Sequence, residues 1–389
     1  MVSTSEGSIK QALKRRKVCK MYKTSTMGYK QMLRDCYNVK IPLMIYGGFG
    51  IGKSAIPRQV FAEVAKEEKK TFVMWEHTTD EEKVEMIANP EKYWVFCDQR
   101  IAQMDTTDLR GIPNMLDTTM LKTIPYAWVI YFTQPKASGV VFFDEINLAP
   151  PTVAGSAYQI INDRCISDRK LGDNVFCMGA GNRAEDKAHI FDMPMPLHDR
   201  FAEVEIGINV DDWTEWASGK VSPHLISFIN WKPNRLYHAD VKKGDKPSTP
   251  RSVERASILL GDKDITDNNA FELVSIACGE AFATEFQAYT KFYSQLNWPT
   301  IYKNPESVAK FEMDKLWAVA GGMTDQFLKG VEDKIFECMM NVTLAMRPDF
   351  ALVGLKMMKD GDKKKFTKQI KTCKNFQDIV KSHARFIID

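Results

Sequence analysis

Two short stretches of the sequence hold residue types that could bind and cleave a phosphoanhydride. Gly47-Gly48-Phe49-Gly50-Ile51-Gly52-Lys53-Ser54 fits GxxxxGK[ST]. Glycines let the backbone curl until its N–H groups point inward around phosphate oxygens. A helix starting at Ser54 would turn its positive N-terminus toward the same anion. Lys53 would place a compact cation on the β and γ phosphates, and Ser54 would offer a hydroxyl to Mg²⁺. Further along, Asp144-Glu145 follows four apolar residues. Asp144 can hold Mg²⁺ directly or through its water, and Glu145 can orient or deprotonate an attacking water.

Such residues need a rigid frame. Ile41 to Tyr46 is a short apolar run ended by glycines and reads as a buried strand, and Ser54 to about Glu68 reads as a helix. Trp94–Cys97, Val140–Phe143, Val175–Met178 and Ala202–Ile206 read as further buried strands. Short apolar strands separated by helical patterns predict a parallel α/β sheet covered on both faces, with ligands outside the carboxyl ends of its strands. Thr24 to Tyr37 has helical spacing, whereas residues 1–23 read as a loose tail. After about residue 208 the strand signals fade, and 251–293 and 306–346 read as long helices. The expected organisation is a tail (1–23), an α/β nucleotide-binding core (24–208), a helical lid (209–295) and a C-terminal helical region (296–389).

Composition narrows the function classes. The chain has 389 residues with 53 Lys+Arg against 50 Asp+Glu, a net charge of +3. That near balance speaks against a generic nucleic-acid binder, and the run Lys14-Arg15-Arg16-Lys17 reads as a solvated tail. The apolar run Tyr126–Phe132 is too short for a membrane span. The eight cysteines show no CxxC spacing, so neither a zinc site nor a disulfide framework is expected. A cytoplasmic protein with reduced thiols is the expectation.

Phe143-Asp144-Glu145-Ile146-Asn147-Leu148-Ala149-Pro150-Pro151 resembles the Walker B signature of MoxR-like AAA+ ATPases, in the branch that groups with dynein- and midasin-related modules. Gly179-Ala180-Gly181-Asn182-Arg183 resembles that family's sensor 1, carried by Asn182. Leu197-His198-Asp199-Arg200-Phe201 is similar to its arginine-finger element, and Ser248-Thr249-Pro250-Arg251 to its sensor 2. Asp108 to Pro113, with the stretch up to Phe132, resembles the helix-2 insertion. Cys165 to Gly172 resembles the pre-sensor-1 hairpin, with its turn at Asp168 to Gly172. Leu148 and Arg183 depart from the family pattern, which has Arg and Pro there, and set the chain on a side branch.

The resemblance implies an AAA+ P-loop fold with both insertions, a helical lid and a helical C-terminal extension. It implies ATP with Mg²⁺, hydrolysed at the subunit interfaces of a homo-oligomeric, hexameric ring. Asn182 would bind the γ phosphate or the lytic water, and Arg251 would couple nucleotide state to lid angle. Arg200 would act on the neighbouring subunit's nucleotide. Arg183 is a rival for that role, and Arg200 could instead pair with Asp199 in its own chain. The leading function is ATP-driven, chaperone-like remodelling of a protein client, with a separate von Willebrand factor A domain protein as a family-type partner. A nucleic-acid motor is the alternative, with Arg164, Arg169 and Lys170 as candidate pore cations; a GTPase subunit of a restriction-like complex and a structural ring stand behind it.

Overall fold

The computed structural model describes residues 22–114, 122–183, 191, 193–241 and 244–374. The run Lys14–Lys17, most of the expected tail, the tip of the expected helix-2 insertion and residues 375–389 lie outside the described residues.

Eleven strands are described. They are β1 (Tyr22–Thr24), β2 (Leu43–Tyr46), β3 (Thr71–Met74), β4 (Tyr93–Arg100), β5 (Ile112–Asn114), β6 (Lys122–Ile124), β7 (Ser138–Asp144), β8 (Cys165–Ile166), β9 (Arg169–Lys170), β10 (Asn174–Gly181) and β11 (Ala202–Ile206). Seven form one sheet in the order β1-β11-β2-β10-β7-β4-β3, and every pairing in it is parallel. The fold class expected from the sequence is the one the chain adopts: a parallel α/β sheet followed by a helical region.

Strand alternation explains why this sheet is buried on both sides. On one face Phe96 meets Phe142 with ring centroids 5.7 Å apart, and the helix Ala55–Glu67 adds Phe61, stacked on Trp94 at 4.8 Å. On the other face Val95, Cys97, Val141, Phe143 and Cys177 share one core with the helix Pro151–Asp163. The register brings three strand ends together. Gly181 at the end of β10 pairs with Tyr46 at the end of β2, and Phe143 of β7 pairs with Gly179.

Contacts divide the chain into two units, residues 22–48 with 53–207 and residues 49–52 with 208–374. The second unit is helical. Its core is one apolar cluster running from Trp213 to Cys373, in which the helix Pro223–Trp231 lies against Met313–Lys329.

Several expectations are corrected. Tyr22 and Lys23 are not tail but belong to β1, which pairs with β11. The strand Thr71–Met74 carries little apolar periodicity and gave no signal. The two long helices are broken into Pro250–Leu260, Asn268–Cys278 and Glu280–Ser294, and into Met313–Lys329 and Asp333–Ala345. Gly261, Gly279 and Gly330 make the breaks at φ +51°, +91° and +112°, a region that side-chain-bearing residues disfavour. In the hairpin β8–β9 the turn falls at Ser167-Asp168, with Ser167 left-handed at φ +55°, rather than over 168–172. Among the described residues, no helix is long and apolar enough to cross a membrane.

Candidate active site

The site of the sheet unit lies where β2, β10 and β7 end. Immediately after β2 the chain turns through Gly47 and Gly48. The Lys53 ammonium, 8% exposed, donates to Gly47 O at 2.7 Å, to Gly48 O at 2.9 Å and to Oδ1 of Asn182 at 2.9 Å. One cation thereby ties Gly47 and Gly48 to the residue that follows the middle strand. Ser54 follows and donates its hydroxyl to Oδ2 of Asp144 at 2.6 Å. Asp144 Oδ1 accepts from the Glu145 amide at 2.9 Å.

Glu145 is exposed and left-handed, at φ +54° and ψ +34°. A non-glycine residue in that region costs on the order of 1 kcal/mol, so the surroundings must hold it there. They do so through the Asp144 carboxylate on its amide and through Leu148 N, which donates to Glu145 O at 2.9 Å.

Three residues without an expected role complete this region. Asn147, 5% exposed, accepts from the Asn182 amide at 2.9 Å and donates to Asn182 O at 2.7 Å. Arg58, one turn beyond Ser54, pairs with the buried carboxylate of Asp98 at 2.5 Å. Burial raises the Asp98 carboxyl above its ordinary range, and the neighbouring Asp144 charge pushes the same way. Asp98 was legible in principle. It sits two residues beyond Phe96 on the face of β4 that the loop's helix covers, and an acid there breaks an apolar run.

Arg183, just after β10, and Arg200, just before β11, differ. Arg183 pairs with the buried Glu205 of its own chain at 3.4 Å, and Lys23 pairs with the same carboxylate at 3.0 Å. Arg200 is exposed, and its guanidinium has no partner among the described residues, Asp199 included. The short helix before it, Met195–His198, is pinned to β11 by His198 Nδ1 and Glu203 Oε1 at 2.7 Å. Arg164 is occupied within its chain, donating to Val175 O and Gly172 O at 2.8 Å each. Of the three candidate pore cations, Arg169 and Lys170 remain exposed on β9.

In the helical unit, the loop tip 49–52 keeps company with the helix Pro250–Leu260. Arg251 N donates to Gly50 O at 3.2 Å, and the Phe49 and Tyr237 rings lie 5.9 Å apart. Gly50 is at φ +73°, and a Cβ there would stand 2.7 Å from Thr249 Oγ1. Thr249 caps the helix in a reciprocal capping box with Ser252. The Arg251 side chain is exposed.

The donor set of the sheet unit fits a divalent metal. A hydroxyl and a carboxylate converge, both hard oxygen ligands of the kind Mg²⁺ takes. Ser54 and Asp144 would hold the ion.

No protein-family model matches the chain, and no curated protein matches it. Solved structures do. NtrX from Brucella abortus in complex with ADP is 12% identical at a TM-score of 0.35, over 97% of this chain and 72% of that one. The Thermotoga maritima RuvB Holliday junction branch migration motor is 12% identical at 0.25, over 84% of this chain and 86% of that one. Likenesses of this size are too slight to argue from.

Proposed function

We propose that this chain is an ATP hydrolase of the MoxR-like AAA+ kind, working as a ring that remodels a protein partner. The observation that carries the hydrolase reading is the meeting of Lys53, Ser54, Asp144 and Asn182 at the ends of three adjacent parallel strands. A loop cation, a metal-holding pair and a neutral amide in one place form the equipment of phosphoanhydride cleavage.

Each residue then has a task. Lys53 and the amides of the loop bind and orient the phosphates. Ser54 and Asp144 would hold Mg²⁺, which when bound would supply charge neutralisation for the phosphoryl group. Glu145, projecting from a constrained left-handed turn, takes the proton of the attacking water. Asn182 orients that water or the γ phosphate without adding charge. Arg251 is assigned to nucleotide sensing by residues 209–295 as a lid, with 296–389 as an extension.

Arg200 supports the ring. An exposed guanidinium carried by a pinned helix end suits a site on a neighbouring copy. Arg183 does not suit that task, since Glu205 holds it. A hexamer, a client protein and a von Willebrand factor A domain partner belong to this proposal through the family resemblance.

The test is ATPase activity of the purified chain with Mg²⁺, with EDTA as control. Hydrolysis that needs the metal and rises when a client copurifies supports the reading. No binding of ATP with Mg²⁺ ends it. Stimulation by nucleic acid with steep salt dependence would instead favour a motor, for which the exposed Arg169 and Lys170 speak.

A further inference from the structure

Strand β10 outlasts its neighbour. Its last pairing with β7 joins Gly179 to Phe143, while its pairing with β2 continues to Gly181. Beyond that point the ladder on the β7 side would leave the main chain of Asn182 open. The side chain of Asn147 fills the place. Its Oδ1 takes the Asn182 N–H at 2.9 Å and its Nδ2 reaches the Asn182 carbonyl at 2.7 Å. An asparagine carboxamide presents one acceptor and one donor side by side, the pattern of a neighbouring strand. Aspartate offers no donor and alanine offers neither group.

The surroundings are built for this clasp. A Cβ on Gly181 would stand 3.0 to 3.2 Å from the carboxamide atoms of Asn147, so a side chain there would press on the amide. Asn147 itself sits in the tight turn Ile146–Leu148, two residues after Glu145, and its own carbonyl accepts from Phe191 N at 2.8 Å. The clasped residue carries the Oδ1 that receives the Lys53 ammonium.

We propose that Asn147 is a positioning residue: it fixes the Asn182 main chain so that the Asn182 carboxamide is set against Lys53, and it thereby governs turnover and not nucleotide affinity. The proposal rests on the hydrolase reading above.

The experiment uses the full chain with Asn147→Ala, Asn147→Asp, Asn182→Ala and the double variant Asn147→Ala/Asn182→Ala. Asn147→Ala removes two partly buried hydrogen bonds and should lower kcat by roughly tenfold to a hundredfold. KM and the affinity for a fluorescent ATP analogue with Mg²⁺ should change by less than about twofold. Asn147→Asp, which keeps the acceptor, should lie between. In the Asn182→Ala background, Asn147→Ala should cost nothing further, because it acts through that side chain. Equal losses in both backgrounds, a fall in affinity matching the fall in kcat, or an unchanged kcat would overturn the proposal. Hydrogen exchange of the Asn182 amide gives a reading independent of hydrolysis. It should accelerate in Asn147→Ala and, less, in Asn147→Asp; unchanged exchange in both also overturns the proposal. A wild-type chain that fails to bind ATP defeats the hydrolase reading, whereas the exchange result still decides whether the clasp exists.

Discussion

The ammonium nitrogen of Lys53 lies 2.9 Å from Oδ1 of Asn182, a residue 129 positions later in the chain. The contact exists because β10 runs between the strand that leads into the loop and the strand that ends in Asp144. A cation supplied by the loop and an amide supplied by the neighbouring strand can therefore reach one phosphate from two sides. This arrangement makes the site sensitive to single side chains.

Lys53→Ala should bind ATP tenfold to a hundredfold more weakly, the loss expected when a charge-assisted contact is removed. Titration with a fluorescent ATP analogue measures it. Unaltered affinity would remove Lys53 from the phosphate site.

Glu145→Gln should bind ATP normally and lose turnover by about 10²- to 10⁴-fold, because the base is lost while Ser54 and Asp144 remain. Equilibrium binding and steady-state hydrolysis on the same preparation separate the two effects. Normal turnover would show that another group takes the proton.

Arg200→Ala should keep nucleotide affinity and assembly but lose on the order of 10³- to 10⁵-fold in rate. Wild-type specific activity should correspondingly climb with protein concentration, followed by light scattering alongside the assay. Concentration-independent activity in a monodisperse monomer contradicts a donated guanidinium. Arg183→Ala should instead lower stability, since it leaves the buried Glu205 with one cation fewer.

Lys40 supplies a pH test of the sheet unit. Burial lowers its ammonium from 10.5 to about 8; Arg164 and Lys70 push the same way, and the Glu68 charge opposes them. Its nitrogen lies 3.5 Å from the Tyr37 ring centroid. Between about pH 8 and 10.5 the unfolded chain still binds a proton that the folded chain has released. That difference makes the lysine's contribution to stability rise with pH across this window. Urea unfolding of wild type and Lys40→Met should show the wild type gaining on the variant as pH increases from about 7.5 to 10. A difference independent of pH would mean that the lysine is not desolvated.

Much of the frame was legible because its signals are local. The run Leu43–Tyr46 ending in glycines and the run Val140–Phe143 ending in acids each announce a buried strand with a loop at its carboxyl end. What escaped depends on partners distant in sequence. The strand Tyr22–Thr24 is polar and exists because β11 lies beside it. β4 continues through Asp98 because β7 pairs with it there, and Arg58 compensates the buried carboxylate. Asn147 stands out in the sequence only as part of a motif, since its partners are main-chain atoms that leave no mark in composition. The helical unit differs for another reason. Apolar spacing runs across Gly279, where the backbone angle ends one helix and the next begins at Glu280, while the break after Gly261 is a polar loop closed by the Asp267 cap.

Strand β2 has β11 on one side and β10 on the other, and both are specified far later in the chain. On the ribosome, the segment that leads into the loop therefore emerges long before either neighbour has been synthesised. Its four apolar residues wait unpaired until β10 has been made, and β1, whose partner in the sheet is β11, waits longer still.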